Sequence, residues 1–422
     1  MINWVKRMLS HILFIQDKDV VQQYICNDCH KTFPSENAHL LKQLRQSVKL
    51  FVCKFICLLR FKEGLSLRSI SRIVDFAFGI NSSLGYLSKF TNTIGQKAQD
   101  KIKKLSQCQA TETATVVIID ETFPKIFHKS ICLGLVICEY GLIRGIACVK
   151  KSSSSIKGLV RQCIGKSFQP TFLLGDFLPA YAEVAKQLKL TRLTDFVHAI
   201  RHIYKLVRVH IGEIRLTIKD HQKFTPKKRK ELLKLKKKLL RKQIMPVIQT
   251  LFKGLKKEYC AVGHLYILGA LTEIERLTEQ FPCLEPLYKA VNKFVHKYID
   301  TWKLQMELSH IVSTIPTTSN SIESKNSILR IFSKRIKAFF STTSLLRFFS
   351  AVALWENFDI KERGTHKGTS AIQRAGINLE DFNATSFFKA VELENVSQQN
   401  TKRFDSDKIV SYLFTQILAQ AV

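Results

Sequence analysis

The chain is short of acid. Its 422 residues hold 34 Asp and Glu against 66 Lys and Arg, a formal net charge of +32. Such an excess repels itself unless a polyanion shares the surface, and nucleic acid is the commonest polyanion. A basic protein of the ribosome or of a membrane surface is the other reading. Long apolar runs are missing too: no stretch approaches the ~18–20 residues of a membrane-crossing helix. The opening "MINWVKRMLSHILFI" has one apolar face but no small-residue cleavage site, so it does not read as a signal peptide. Nor is the cysteine count even. Eleven Cys scatter through runs such as "ICLGLVIC" and "FVCKFICLL", where they read as small buried hydrophobes of a reducing, intracellular compartment. No internal repeat is present. What is there is a globular composition, 45% hydrophobic and 10% aromatic, in a chain long enough for roughly two to four folding units.

Near the start, "YICNDCHKTF" places Cys26 and Cys29 at zinc-knuckle spacing. A structural zinc needs four ligands, and the chain has no second CxxC. Cys53 and Cys57, or His30 and His39, are the candidates to complete a site, but Cys53 and Cys57 sit in an apolar helical run. The segment therefore reads as a partial zinc site, with zinc itself left open. In "FKEGLSLRSISRIVDFAFGINSSLGYLSKF", Leu67, Ile70, Ile73 and Val74 share one helical face, and Arg68, Ser69 and Arg72 the other. A turn at Gly79 leads to a second helix capped by Asn81 or Ser82, whose start carries Ser82, Ser83 and Tyr86. That pattern is a helix-turn-helix, whose second helix enters the major groove of DNA. A plain helical hairpin is the bland alternative. "KAQDKIKKLSQ" follows as a polar linker helix.

From Thr115 the period changes. "TVVIIDET" is a buried strand ending in two acids, "ICLGLVICEYGLIRGIACVK" is two strands about a turn at Tyr140–Gly141, and "PTFLLGDFLPAY" is a strand ending at Asp176. With intervening helices these predict a mixed α/β sheet. Asp120 and Asp176 stand at strand exits, where an unpaired carboxylate is costly. Glu323 opens a helix after the hydroxyl-rich "TTSNS". Glu121 should point away from Asp120, because neighbouring strand residues face opposite sides. Acids gathered this way repel unless cations lie between them, and oxygen-only ligands favour Mg²⁺ or Mn²⁺. Two such ions about 3.5–4 Å apart can activate a water or a 3′-hydroxyl against a phosphodiester. A glycosidase carboxylate pair competes but explains neither the charge nor the helix-turn-helix. Between Asp195 and about residue 310 the chain reads as helical. In Lys223–Lys242 eleven residues are basic and one acidic, with Leu232, Leu235 and Leu239 as the apolar stripe. Phosphate contact by Lys227, Lys228, Arg229 and Lys230 is the expectation.

"VVIIDET", "TFLLGDFLPAY" and "TTSNSIESKNSILRIFSKRIKAFFSTTSLLRFFSAVALWENF" resemble the three blocks of DDE transposases of prokaryotic insertion sequences. "HKGTSAIQRAGIN" is similar to a closing phrase of that family, with Ala371 in place of a proline. The resemblance covers most of the chain and implies an RNase H-like catalytic core with a large all-α insertion, preceded by an α-helical helix-turn-helix domain and a partial zinc-ribbon remnant. It implies Asp120, Asp176 and Glu323 as catalytic ligands of two Mg²⁺ (or Mn²⁺) ions, with Asn320, Lys325, Asn326 and Arg330 holding DNA. The first two acids are 176 − 120 = 56 residues apart and the last two 323 − 176 = 147, an interval that calls for an insertion. "DFVHAIRHIYK" is similar to a C-x-x-H element of insertion-bearing families, with Asp195 where the cysteine would stand, and with His198 and Arg201 as candidate auxiliary residues. A histidine merely packed beside the sheet is the alternative. The expected layout is 1–40 zinc-ribbon-like, 41–110 helix-turn-helix and linker, 111–195 and 311–390 catalytic, 196–310 helical insertion, and 391–422 a tail. The implied partners are double-stranded DNA, at element ends and target, and further copies of the chain. The implied place is the nucleoid-associated cytoplasm of a prokaryote. A transposase-derived DNA-binding protein without turnover is the alternative.

Overall fold

The computed structural model describes residues 24–25, 32–33, 37–111, 114–127, 129–216, 224–256, 262–312, 314–336, 339–364 and 366–399. Cys26, Cys29, His30 and the tail from 400 lie outside these, so the zinc reading does too. Two compact units result, one of Met1–Ile94 with Val391–Val422, the other of Gly95–Ala390. Among the described residues no helix is long and apolar enough to cross a membrane.

Among its described residues the first unit is helical apart from one short antiparallel pair, Tyr24–Ile25 with Thr32–Phe33. α1 (Asn37–Cys57) runs into a π-helical turn, Leu58–Lys62, and is followed by α2 (Leu67–Phe78) and α3 (Leu84–Lys104). α2 starts because the Ser66 hydroxyl accepts the Ser69 N–H at 3.1 Å. It stops at Gly79, whose φ of 63° suits a residue without Cβ. Ile70, Val74 and Phe78 are its buried face, and Phe78 meets Phe51 and Phe55 edge-on. The cap of α3 is Ser83, not Asn81 or Ser82: its hydroxyl accepts the Tyr86 N–H at 3.2 Å. The expected linker helix is the second half of α3, and the boundary between the units falls inside that helix.

The second unit is a mixed α/β fold on a five-stranded sheet. Its strands are β1 (Ala114–Thr122), β2 (Leu133–Cys138), β3 (Ile143–Cys148), β4 (Phe168–Gly175) and β5 (Thr191–Thr194). Their order is β3-β2-β1-β4-β5. β1–β2 and β2–β3 are antiparallel, while β1–β4 and β4–β5 are parallel. The turn between β2 and β3 places Gly141 at φ 76°, as Tyr140–Gly141 predicts. β5 carries no sequence signal; four residues are too few to show a period. The connection from β3 to β4 contains α4 (Ser153–Cys163), and α5 (Pro179–Leu188) joins β4 to β5. α4 packs so closely on the sheet that a Cβ at Gly145 would lie 2.5 Å from Cys163 Sγ.

After β5 come α6 (Phe196–Glu213), α7 (Pro226–Lys253), α8 (Gly263–Gln280) and α9 (Glu285–Ile311). They surround their own apolar core, from Phe196 and Ile203 through Leu240 and Ile274 to Trp302 and Met306. The stripe expected on the basic segment is displaced. Leu235 and Leu239 are exposed, and the buried face of α7 begins at Leu240 and continues through Ile244, Ile248 and Leu251. The first turns of α7 therefore project beyond the core with their lysines. The chain then returns to the sheet through α10 (Asn320–Ile336) and α11 (Thr342–Phe358). The closing phrase forms a short helix, Ala371–Arg374, capped by Ser370. Ala371 is its first residue, the position where a helix accepts proline.

Candidate active site

The register of the sheet brings two of the acids together. β1 and β4 are parallel neighbours with Ile118 opposite Leu174, and Asp120 and Asp176 each follow two residues later. Asp120 is tied on both oxygens: Oδ1 accepts the Glu121 N–H at 2.8 Å and Oδ2 the Asn326 amide at 2.7 Å. Burial pushes its carboxyl up, these two bonds oppose the rise, and the charge of Asp176 adds to it. Asp176 Oδ1 accepts the Leu178 N–H at 2.8 Å, which turns the chain into α5. Its backbone is held by Arg192, which donates to the carbonyls of Asp176 and Gly175 from over the Tyr181 ring.

Glu323 sits in the first turn of α10, one turn before Asn326, so the same helix that bonds Asp120 carries the third acid. Its carboxylate is turned toward α6: Arg201 donates to Oε1 at 2.9 Å, and His198 Nδ1 lies 3.9 Å from that oxygen. His198 is the common neighbour of the three acids. Contact with Asp195, at 3.1 Å, raises its pKa, burial lowers it, and Asp176 and Glu323 add to the rise. The same imidazole lowers the Asp120 carboxyl. Burial pushes the Glu121 carboxyl up, and the charges of Asp176 and Asp120 add to the rise.

The compact cluster of ligand-type atoms among the described residues is Asp195, His198 and Glu323, within 4.8 Å of one another. Asp120 and Asp176 are outside it. Asp195 is fully buried at the start of α6, and its carboxylate is consumed by the fold. Oδ1 accepts the N–H groups of Val197 at 2.7 Å and His198 at 3.2 Å, and Oδ2 accepts the Ser319 N–H at 2.9 Å and its hydroxyl. Burial would push this carboxyl up, but contacts with His198 and Ser319 outweigh it and hold it at about 2. An acid so saturated is a brace for the loop before α10 rather than a metal ligand. Thr194, Trp302, Gln305 and Pro316 complete the brace. Trp302 Nε1 donates to the Thr194 hydroxyl at 2.9 Å, Gln305 accepts the Thr194 N–H at 3.0 Å, and Gln305 Nε2 donates to Pro316 O at 3.3 Å. Of the brace residues other than Asp195 and His198, only the hydroxyl run holding Ser319 carried a sequence signal.

Four residues expected to meet DNA are instead occupied inside the protein. Lys325 is buried against Glu356 at 2.7 Å, and Asn326 is fully buried on Asp120. Ser82 and Tyr86 are buried, Tyr86 stacked on Phe90 of its own helix. An amphipathic face read from spacing alone cannot separate a groove-facing side chain from one facing the next helix. Arg229 turns back to bond Phe224 O at 2.6 Å, and Ser69 hydrogen-bonds Ser66 at 2.9 Å. Arg68, Arg72, Ser83, Lys227, Lys228, Lys230, Asn320 and Arg330 are exposed.

No protein-family model matches the chain, and no curated protein is similar enough in sequence to count as a relative.

Proposed function

We propose that this protein is a DDE transposase, built on an RNase H-like core, that cuts and joins DNA at the ends of a mobile element. The carrying observation is the convergence of one acid from β1, one from the exit of its parallel neighbour β4, and the Glu323 helix whose Asn326 bonds Asp120. The sheet order, with three antiparallel strands followed by two parallel ones, supports the RNase H-like reading. So does the return of the chain to the sheet through α10 after a helical insertion.

Asp120, Asp176 and Glu323 offer oxygen donors only, and the two aspartates repel each other in a half-buried setting. Both features fit Mg²⁺ or Mn²⁺. When bound, such ions activate the attacking oxygen and stabilise the leaving one in phosphodiester transfer. The chain's own groups set the stage for this. Asn326 and the Glu121 N–H fix the orientation of Asp120. The Leu178 N–H and Arg192 fix Asp176. Arg201 holds Glu323, with His198 beside it, and places positive charge where a phosphodiester would be drawn. Arg68, Arg72 and Ser83 are the exposed groups of the helix-turn-helix available for element ends. Lys227, Lys228 and Lys230 add phosphate contacts that carry no sequence information. Two ends must be handled together, which calls for several copies of the chain.

The test is cleavage of a supercoiled plasmid carrying the flanking element ends, with Mg²⁺, by wild type and Glu323→Gln. Cutting at the ends that vanishes in the variant, with DNA binding retained, is the expected outcome. Tight binding without cutting by either protein would point to a DNA-binding protein derived from a transposase.

A further inference from the structure

Past the ends of β1 and α10 stand aromatic side chains that the fold does not bury. Phe123 is 49% exposed, Phe127 56% and Phe340 82%. Large apolar side chains grouped in water are an uncommon surface feature and mark contact sites. Their origin in the chain is informative. Phe123 follows β1 directly, three residues after Asp120, a span of about 10 Å for extended chain. Phe127 tips a small hairpin in which Lys125 pairs with Ser130 and Ile126 with Lys129. Phe340 follows α10, the helix of Glu323, and precedes the Ser341 cap of α11. Both limbs of the patch thus leave elements that carry active-site acids.

The patch is fixed rather than loose. Ile126 bridges Phe339, whose N–H donates to Lys125 O at 3.2 Å. Phe339 is buried against Phe348 and Phe349 at 5.5 and 5.6 Å between ring centres. Its neighbour Phe340 is thereby driven outward, where it meets Phe127 edge-on at 5.5 Å. Phe127 itself holds a φ of 43°, a left-handed backbone that a bulky residue rarely adopts. The surround is cationic: Lys125 and Lys129 are exposed on the hairpin, and Lys151 lies 4.9 Å over the Phe123 ring.

Open aromatic faces among lysines are the chemistry that binds unpaired nucleotides, with rings stacking on bases and ammonium groups following the phosphates. Resting on the transposase reading above, we propose that Phe123, Phe127 and Phe340 form a platform that stacks unpaired bases of the DNA strand beside the scissile phosphate. A duplex keeps its bases stacked on each other, so it gains nothing from these rings. A frayed or opened end does.

The experiment measures affinity of the full chain, without divalent metal, for a labelled oligothymidylate of about a dozen nucleotides, within the range of single-strand sites, and for a duplex of equal length. Phe127→Ala with Phe340→Ala should weaken single-strand binding by about tenfold for each base that no longer stacks. Duplex affinity should hold, and the salt slope should not change, because stacking releases no counterions. Phe127→Tyr with Phe340→Tyr should restore binding. Unchanged single-strand affinity in the alanine variant overturns the platform, and so does an equal loss on duplex. A variant that instead loses self-association in sedimentation assigns the patch to a contact between copies and also overturns it. Plasmid cleavage is scored separately on the wild type: no cutting with stacking intact removes the strand-transfer reading and leaves the platform standing.

Discussion

Two helices of the second unit carry basic residues expected to meet DNA, and they use charge in opposite ways. On α10, Lys325 is 7% exposed and bonded to Glu356, which also takes Lys361 at 3.3 Å. Burial lowers the Lys325 pKa and Glu356 opposes the fall, while Lys325 and Lys361 together pull Glu356 down against its own burial. That charge is spent inside the fold. On the first turns of α7, Lys227, Lys228 and Lys230 face water, and Lys227 and Lys228 crowd the positive end of the helix. The fold gains nothing from them there. Basic residues that destabilise their own helix need a reason outside it, whereas a paired lysine under a helix has its reason within.

The sharpest way to break this contrast is at the most buried charge, Asp195. Asp195→Asn keeps the shape but presents an amide N–H to donors that need an acceptor, so unfolding free energy should fall by about 2–4 kcal/mol in denaturant titration. The pH dependence follows from the sign of the shift. The carboxyl is near 2 in the fold against an ordinary 3.8, so protons favour the unfolded chain. Its contribution is complete above the ordinary value and lost as pH falls from about 4 toward 2. The difference in stability between wild type and variant should shrink over that window; a difference constant with pH would deny the carboxylate its bracing role.

Next in size is Lys325→Met, which removes the charge but keeps much of the apolar stem. Glu356 retains Lys361, so a loss of about 1–3 kcal/mol is expected, with the salt dependence of DNA affinity unaltered. A reduced salt slope would put Lys325 back among the residues that meet DNA.

How much of the molecule is legible in its sequence divides along the same line. Strand β1 announces itself through "TVVIIDET", and the acids at the ends of β1 and β4 are marked by an abrupt end of apolar residues. The β2–β3 turn is marked by Tyr140–Gly141. These are local signals, complete within a few residues. The bonds that brace the loop before α10 are not local: Ser319 is 124 residues from Asp195, and Gln305 reaches Thr194 across 111. No window of sequence holds both sides of such a bond, so Asp195 stands out only through the resemblance to a C-x-x-H element, in the cysteine's place. The leucines of α7 mislead for the related reason that spacing defines a face without saying what covers it.

The smallest expected effect on stability tests the other half of the comparison. Lys227, Lys228 and Lys230 replaced together by Ala should leave unfolding free energy within about 0.5 kcal/mol of wild type. A slight gain is the expected sign, because two positive charges leave the first turn of a helix whose N-terminus is already positive. Thr225, which caps that turn through the Lys228 N–H, and Pro226 at its first position remain in place, so the helix keeps its start. DNA affinity should respond where stability does not. Every phosphate that a lysine no longer neutralises takes about 0.9 from the slope of log affinity against log salt. If all three lysines meet phosphate, the slope should flatten by up to about 2.7. An unchanged slope with unchanged stability would make these lysines a solvated surface, and the contrast between the two helices would then be one of burial alone.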